Sequence, residues 1–218
     1  MSYKPNERLC KKAFWEECYK TELKNFSDNP SDVGEVWFGE QIAEQVVDTL
    51  QNYASTNLRV LDVGCGCGYT LLLLFQAGYT RLYGVDYCEG SVELTKKVLT
   101  ENNVDMDDVI VEKLDLLDEY CIDTSEIKEA DVIIDKGTFD AIMVAPEKTE
   151  NAGKYKRYIS QVLAEGGIFV ITSCNWTEDE LVDWLGNGLD VIDQIKEGSY
   201  SFGGSQGSKT TTLFFRKI

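Results

Sequence analysis

The stretch VLDVGCGCGYT, residues 60–70, runs from an apolar strand through three glycines toward a helix. Val60, Leu61 and Val63 supply buried strand positions, and the apolar run Leu71 to Phe75 supplies the helix. Gly64, Gly66 and Gly68 fill the turn between them. Glycine there lets the backbone bend tightly and come close to a ligand, although the same residues can be purely steric.

The same alternation continues downstream. RLYGVDY (81–87) reads as a second strand, and Ser91 as the cap of a helix reaching about Asn102. VIVEKLDLL (109–117) is a third strand and ADVIIDKG (130–137) a fourth. Around 148–164, Tyr155, Tyr158, Ile159, Val162 and Leu163 share one helical face. GGIFVITSC (166–174) is a fifth strand, and Thr177 with Glu180 forms a capping-box pattern for the next helix. LDVIDQIK (189–196) and TTTLFFRKI (210–218) complete seven strands. The loop between them, EGSYSFGGSQGSK (197–209), is too short and glycine-rich for a crossover helix, so that pair is expected to be antiparallel.

Before residue 56 the pattern is helical, with Ile42, Val46 and Leu50 recurring beside Ala43 and Val47. The expected fold is therefore α/β: one Rossmann-like, seven-stranded, mainly parallel sheet with an antiparallel last strand. That domain spans 56–218, and residues 1–55 form an N-terminal helical extension or lid.

The charge balance narrows the partners. With 21 basic and 38 acidic residues the 218-residue chain carries −17. A nucleic-acid surface needs the opposite field, whereas a negative one draws in basic proteins. No run of about 18 apolar residues predicts a membrane span, and the N-terminus has no signal-peptide pattern. Seven cysteines without an export signal fit a reducing compartment, the cytoplasm or nucleus. The chain has no histidine, which removes Ser–His–Asp and Cys–His nucleophiles and histidine metal sites. Cys65 and Cys67 have no second pair at zinc spacing, so they read as small packed residues and no metal is expected. Oligomeric state is not written in the sequence; a monomer is the expectation.

Two cofactor classes compete for the glycine turn. A dinucleotide site requires a third glycine at position 69, which is Tyr69. Asp62, two residues before Gly64, would repel a pyrophosphate and welcome an ammonium. S-adenosylmethionine carries an ammonium, a sulfonium and no phosphate. Asp86 ends the second strand, where an acid accepts from both ribose hydroxyls in either class. Asp115 is placed to accept from an adenine amine, with Leu116 packing on the ring. Asp62, Asp86, Asp115 and Asp135 thus sit at the carboxyl ends of strands one to four, the edge where open α/β sheets bind ligands.

VLDVGCGCG with GVDY, which includes Tyr87, resembles the first two motifs of class I, seven-stranded S-adenosylmethionine-dependent methyltransferases. FWEECYKTELKNF, GEVWFGE, DKGTFDAI, ITSCNWT and SFGGSQG narrow the resemblance to the protein-lysine methyltransferases of translation elongation factor 1-alpha, nearest the eEF1A lysine methyltransferase 2 type. The Cys65/Cys67 pair departs from that pattern. The resemblance implies methyl transfer to a lysine of elongation factor 1-alpha, a basic protein. It implies that Asp62, Gly64, Gly66, Gly68, Asp86, Tyr87, Asp115, Leu116, Asp135 and Trp37 hold the donor, and that Asp135, Lys136, Gly137 and Thr138 act as one catalytic unit.

Neutralising a lysine at pH 7 costs about 4.6 kcal/mol. Asp135 is expected to recruit the ammonium, while desolvation and the sulfonium charge oppose it and lower the amine's pKa. Trp37, Trp176 and Phe202 offer aromatic faces for a lysine stem, and Asn175 a polar contact. Trp15 reads as core, and Asp140 as a helix-start acid. The remaining readings are a small-amine methyltransferase, a nicotinamide-dependent oxidoreductase, and a non-catalytic nucleoside-binding module.

Overall fold

A computed structural model describes residues 8–195, 200–202, 205–207 and 210–218, without the side chains of 200–202 and 205–207. Helices α1 (Lys12–Asp28) and α2 (Glu40–Leu50) precede the sheet. Then come β1 (Arg59–Val63), α3 (Tyr69–Gln76), β2 (Arg81–Asp86), α4 (Glu89–Glu101) and β3 (Val109–Lys113). A short α5 (Cys121–Thr124) leads to β4 (Ala130–Lys136), α6 (Thr138–Met143), α7 (Lys148–Val162) and β5 (Leu163–Ser173). The chain continues through α8 (Glu178–Leu185), β6 (Leu189–Ile195), a ribbon of β7 (Tyr200–Phe202) and β8 (Ser205–Gly207), and β9 (Thr211–Lys217).

Seven strands make one sheet in the order β3-β2-β1-β4-β5-β9-β6. β1 to β5 pair in parallel. β9 lies antiparallel between β5 and β6. The strand order reverses between β1 and β4, which opens a crevice at their carboxyl ends.

Side chains alternate between the two faces, and the core follows that alternation. On one face Val60, Val132, Ile134, Val170 and Phe214 pack with α2, α3 and α4 through Ile42, Val46, Leu50, Leu71, Leu74 and Val98. On the other, Leu61, Val63, Ile133, Phe169, Ile171 and Phe215 pack with α6, α7 and α8 through Phe139, Tyr155, Ile159, Val162 and Leu181. Each such side chain fully buried stabilises the fold by about 1.5–3 kcal/mol.

Three local expectations need correction. Ser91 does not cap α4; Cys88 stands at that position, and the buried Ser91 hydroxyl instead donates to the Gly66 carbonyl at 2.8 Å. The third strand stops at Lys113, so Asp115 lies on the loop beyond it. The 197–209 loop carries the two-stranded ribbon β7–β8. The capping box at Thr177 and Glu180 is present.

Candidate active site

The glycine turn follows β1 because its backbone leaves no room for side chains. Gly64 has φ +69°, and a Cβ there would meet the Thr138 hydroxyl oxygen at 1.9 Å. Thr138 occupies that space to donate its hydroxyl to the Val63 carbonyl at 2.8 Å, tying the start of α6 to the end of β1. A Cβ on Gly66 would lie 3.2 Å from the Tyr19 hydroxyl of α1. The turn is thus gripped from both sides.

Above it lies a cavity of about 300 Å³. Its wall contains Gly64 to Cys67, Asp86 and Tyr87 after β2, and Leu114 to Leu117 after β3. Lys136, Gly137 and Thr138 close one end, with Ala141, Ile142, Ala145 and Asn151 beside them. The N-terminal segment supplies Cys10, Lys12, Trp15, Tyr19, Glu35 and Trp37.

Most of the donor-site residues expected from the sequence therefore converge. Asp86 is buried, with Oδ2 accepting from Gly66 N–H at 3.3 Å and Oδ1 from Cys88 N–H at 2.9 Å. Burial pushes its pKa up, against the pull of those bonds. Burial, with the Cys88 and Asp86 charges, pushes the Tyr87 phenol well up. Asp115 is exposed and accepts from Leu117 N–H at 3.0 Å, while Leu116 beside it is buried.

Gly68 and Asp62 are not part of the cavity wall. Gly68 serves packing, because a Cβ there would strike Thr95 at 2.7 Å. Asp62 is 2% exposed and lies under the turn, where it acts electrostatically on Cys65, Cys67 and Lys136. Burial, opposed by the Lys136 charge and reinforced by Asp86, pushes its carboxyl up to about 7. Among the described residues no hydrogen bond or ion pair reaches it. Lys136 is its electrostatic counterpart, and the carboxyl keeps its capacity to accept hydrogen bonds.

Asp135, expected to recruit the ammonium, is engaged inside the core. It is 0% exposed and absent from the cavity wall. Its Oδ1 accepts from Thr138 N–H at 2.9 Å, and its Oδ2 from Phe139 N–H at 3.0 Å and the Tyr155 hydroxyl at 2.5 Å. Burial pushes its carboxyl up to about 7, opposed by the Tyr155 bond and raised further by Asp140. Strand alternation explains the reversal. Asp135 follows Ile133 onto the α7 face, whereas Lys136 follows Ile134 and Asp62 onto the other. The side chain presented to the cavity is Lys136, whose Nζ donates to the Trp37 carbonyl at 3.0 Å. Burial pulls its pKa down, against Asp62, Cys67 and Asp135.

The proposed substrate contacts also move. Trp176 packs on Phe139 and Trp184, with ring centroids 6.2 and 6.1 Å away, and does not line the cavity. Asn175 is exposed at the end of β5, outside the cavity wall. The side chain of Phe202 lies outside the described residues. Asp140 accepts from the Ser173 hydroxyl at 2.5 Å and from Cys174 N–H at 2.8 Å, joining α6 to β5.

Trp15 and Tyr19 were the residues sequence reasoning missed. Trp15 is not core; it lines the cavity 5.1 Å from the Trp37 ring and 6.2 Å from Tyr19. Their i, i+4 spacing put them on one helical face, but nothing in the sequence said what that face covers.

A methyltransferase-domain family model matches residues 54–212. EEF1A lysine methyltransferase 2 of Danio rerio is 36% identical over 212 residues, covering 96% of this chain and 88% of its own length. The protein-lysine N-methyltransferase efm4 of Schizosaccharomyces pombe is 35% identical over 237 residues, covering 99% and 97%. In structure, the chain resembles a magnesium protoporphyrin IX methyltransferase from Synechocystis with bound SAM. The TM-score is 0.63 at 19% identity, over 92% of this chain and 97% of that one, which speaks to the fold alone. With a domain model spanning most of its length and relatives aligned nearly end to end, the chain belongs to the methyltransferase-domain family and, within it, to the group of EEF1A lysine methyltransferase 2 and efm4.

Proposed function

We propose that the protein is an S-adenosylmethionine-dependent protein-lysine N-methyltransferase, with translation elongation factor 1-alpha as its substrate. The observation that carries this reading is the cavity at the β1/β4 switch point, with Asp86 and Lys136 on its wall and the buried Asp62 of β1 acting electrostatically on Lys136. The name of the Danio rerio relative supports the substrate, and that of the Schizosaccharomyces pombe relative a protein lysine as acceptor.

S-adenosylmethionine, when bound, supplies a methyl group made electrophilic by its sulfonium. The chain's own residues supply position and electrostatics. Asp86 would accept from the ribose hydroxyls, and Tyr87 and Leu116 on the cavity wall would hold the base. The carboxylates of Asp62 and Asp86 give the cavity a negative potential that suits a cationic donor. Trp15, Tyr19 and Trp37 give its N-terminal side an aromatic wall. Methyl transfer needs the lysine amine neutral, and a part-buried, cationic surrounding lowers an amine's pKa. Catalysis is then mainly the alignment of two reactants, and no dedicated base is required of the chain.

Tyr69 at the place of a third glycine weighs against a nicotinamide cofactor. The −17 charge fits a basic protein substrate, and the thiols of Cys18, Cys65, Cys67, Cys88, Cys121 and Cys174 fit a reducing cytoplasm. Incubation with labelled donor and elongation factor 1-alpha from a strain lacking the enzyme tests the reading. Mass spectrometry should find a methylated lysine. Label in another extract protein but never in that factor would overturn the substrate, and calorimetric binding of NAD without S-adenosylhomocysteine would overturn the activity.

A further inference from the structure

We infer that Lys136 anchors the carboxylate of the donor's amino-acid moiety, a positioning role that rests on the donor assignment above. A bound amino acid brings an anion as well as a cation into the cavity, and a desolvated carboxylate needs a charged partner. Only Lys12 and Lys136 among the residues of the cavity wall carry positive charge. Lys12 is exposed, with its ammonium over the Tyr87 ring at 5.5 Å, which places it at the end marked by Asp86 for the ribose. Lys136 stands at the opposite end, beside Gly137 and Thr138 and one residue past the Val63–Asp135 pair of the sheet register.

An ammonium has three donors, and Lys136 spends one on the Trp37 carbonyl at 3.0 Å. Asp62 acts on Lys136 electrostatically but forms no ion pair with it among the described residues. The two opposite charges are therefore held near each other and apart. That arrangement is complementary to a zwitterion, whose carboxylate takes the remaining Lys136 donors while the Asp62 charge, behind the wall, favours its ammonium. The same ammonium ties the Trp37 backbone to the cavity.

Calorimetry on the full chain tests this with three ligands: S-adenosylhomocysteine, its decarboxylated analogue, and 5′-methylthioadenosine, which lacks the amino-acid part. Wild type should bind the homocysteine compound at least about tenfold tighter than the decarboxylated one, the size of a charged hydrogen bond. In K136M that preference should shrink to within about twofold, through weaker binding of the carboxylate-bearing ligand alone, and K136R should restore part of it. Equal affinities in wild type overturn the proposal without any variant, so a K136M that fails to fold leaves it decidable. Equal weakening of all three ligands in K136M also overturns it, by assigning Lys136 only to the Trp37 contact. Failure of wild type to bind either nucleoside would instead bring down the donor assignment, and this proposal with it.

Discussion

Neighbouring residues in β4 have opposite fates, and the difference is one of parity. Asp135 turns to the α7 face and is consumed by the backbone of α6 and the Tyr155 hydroxyl. Asp135→Ala should therefore behave as a structural lesion. It orphans buried donors at about 1–3 kcal/mol each, so urea melts should show a loss of about 2–4 kcal/mol. A variant with native stability but no turnover would return Asp135 to the chemistry. Asp62 makes the opposite prediction. Its carboxyl, near 3.8 unfolded and about 7 folded, binds a proton more tightly in the folded state. Its contribution to stability is fully present below about 3.8 and is lost as pH rises through about 7. Asp62→Asn removes a penalty of up to about 4 kcal/mol but leaves a buried amide. It should raise apo stability by about 1–3 kcal/mol at pH 8, less at pH 5, while weakening S-adenosylhomocysteine. A variant less stable than wild type at pH 8 would count against an unpartnered charge.

At the scale of elements, legibility depended on period. Seven strands and their helices showed in the alternation of apolar runs, and the β6–β9 pairing in a loop without room for a helix. The direction of Asp135 was hidden because it depends on which sheet face α7 covers, a fact of register rather than composition. The aromatic face of α1 was hidden for a related reason: Trp15 looks the same whether it packs on a core or on a cavity. Trp15→Ala should now weaken S-adenosylhomocysteine about tenfold in calorimetry, with little change in the melting temperature; unaltered affinity would return Trp15 to a packing role. The turn makes a sharper prediction. Gly64→Ala puts a methyl against the Thr138 hydroxyl at a φ of +69°, so a loss of about 2 kcal/mol or more is expected by urea melt. Adding Thr138→Ala should recover only part, because the backbone strain remains. Full recovery would show the collision to be the whole effect.

The molecule as a whole carries −17, and its proposed substrate is basic. Raising salt from about 50 to 300 mM should lower kcat/KM for elongation factor 1-alpha several-fold while leaving S-adenosylhomocysteine affinity nearly unchanged, since exposed charges are screened and buried ones are not. A flat salt profile would remove charge from partner choice. The position of β9 has a consequence for how the protein is made. It follows every other strand of the sheet in sequence, yet it lies inside the sheet, hydrogen-bonded to β5 on one side and β6 on the other. Ribosomes deliver the N-terminal parts first. Until residues 211–217 emerge, the nascent chain has an open slot flanked by two unpaired β edges, the kind of surface that sticks to other chains. The enzyme is thus most vulnerable to aggregation in the interval between the synthesis of β6 and that of residues 211–217, when the machinery it is proposed to modify is still holding it.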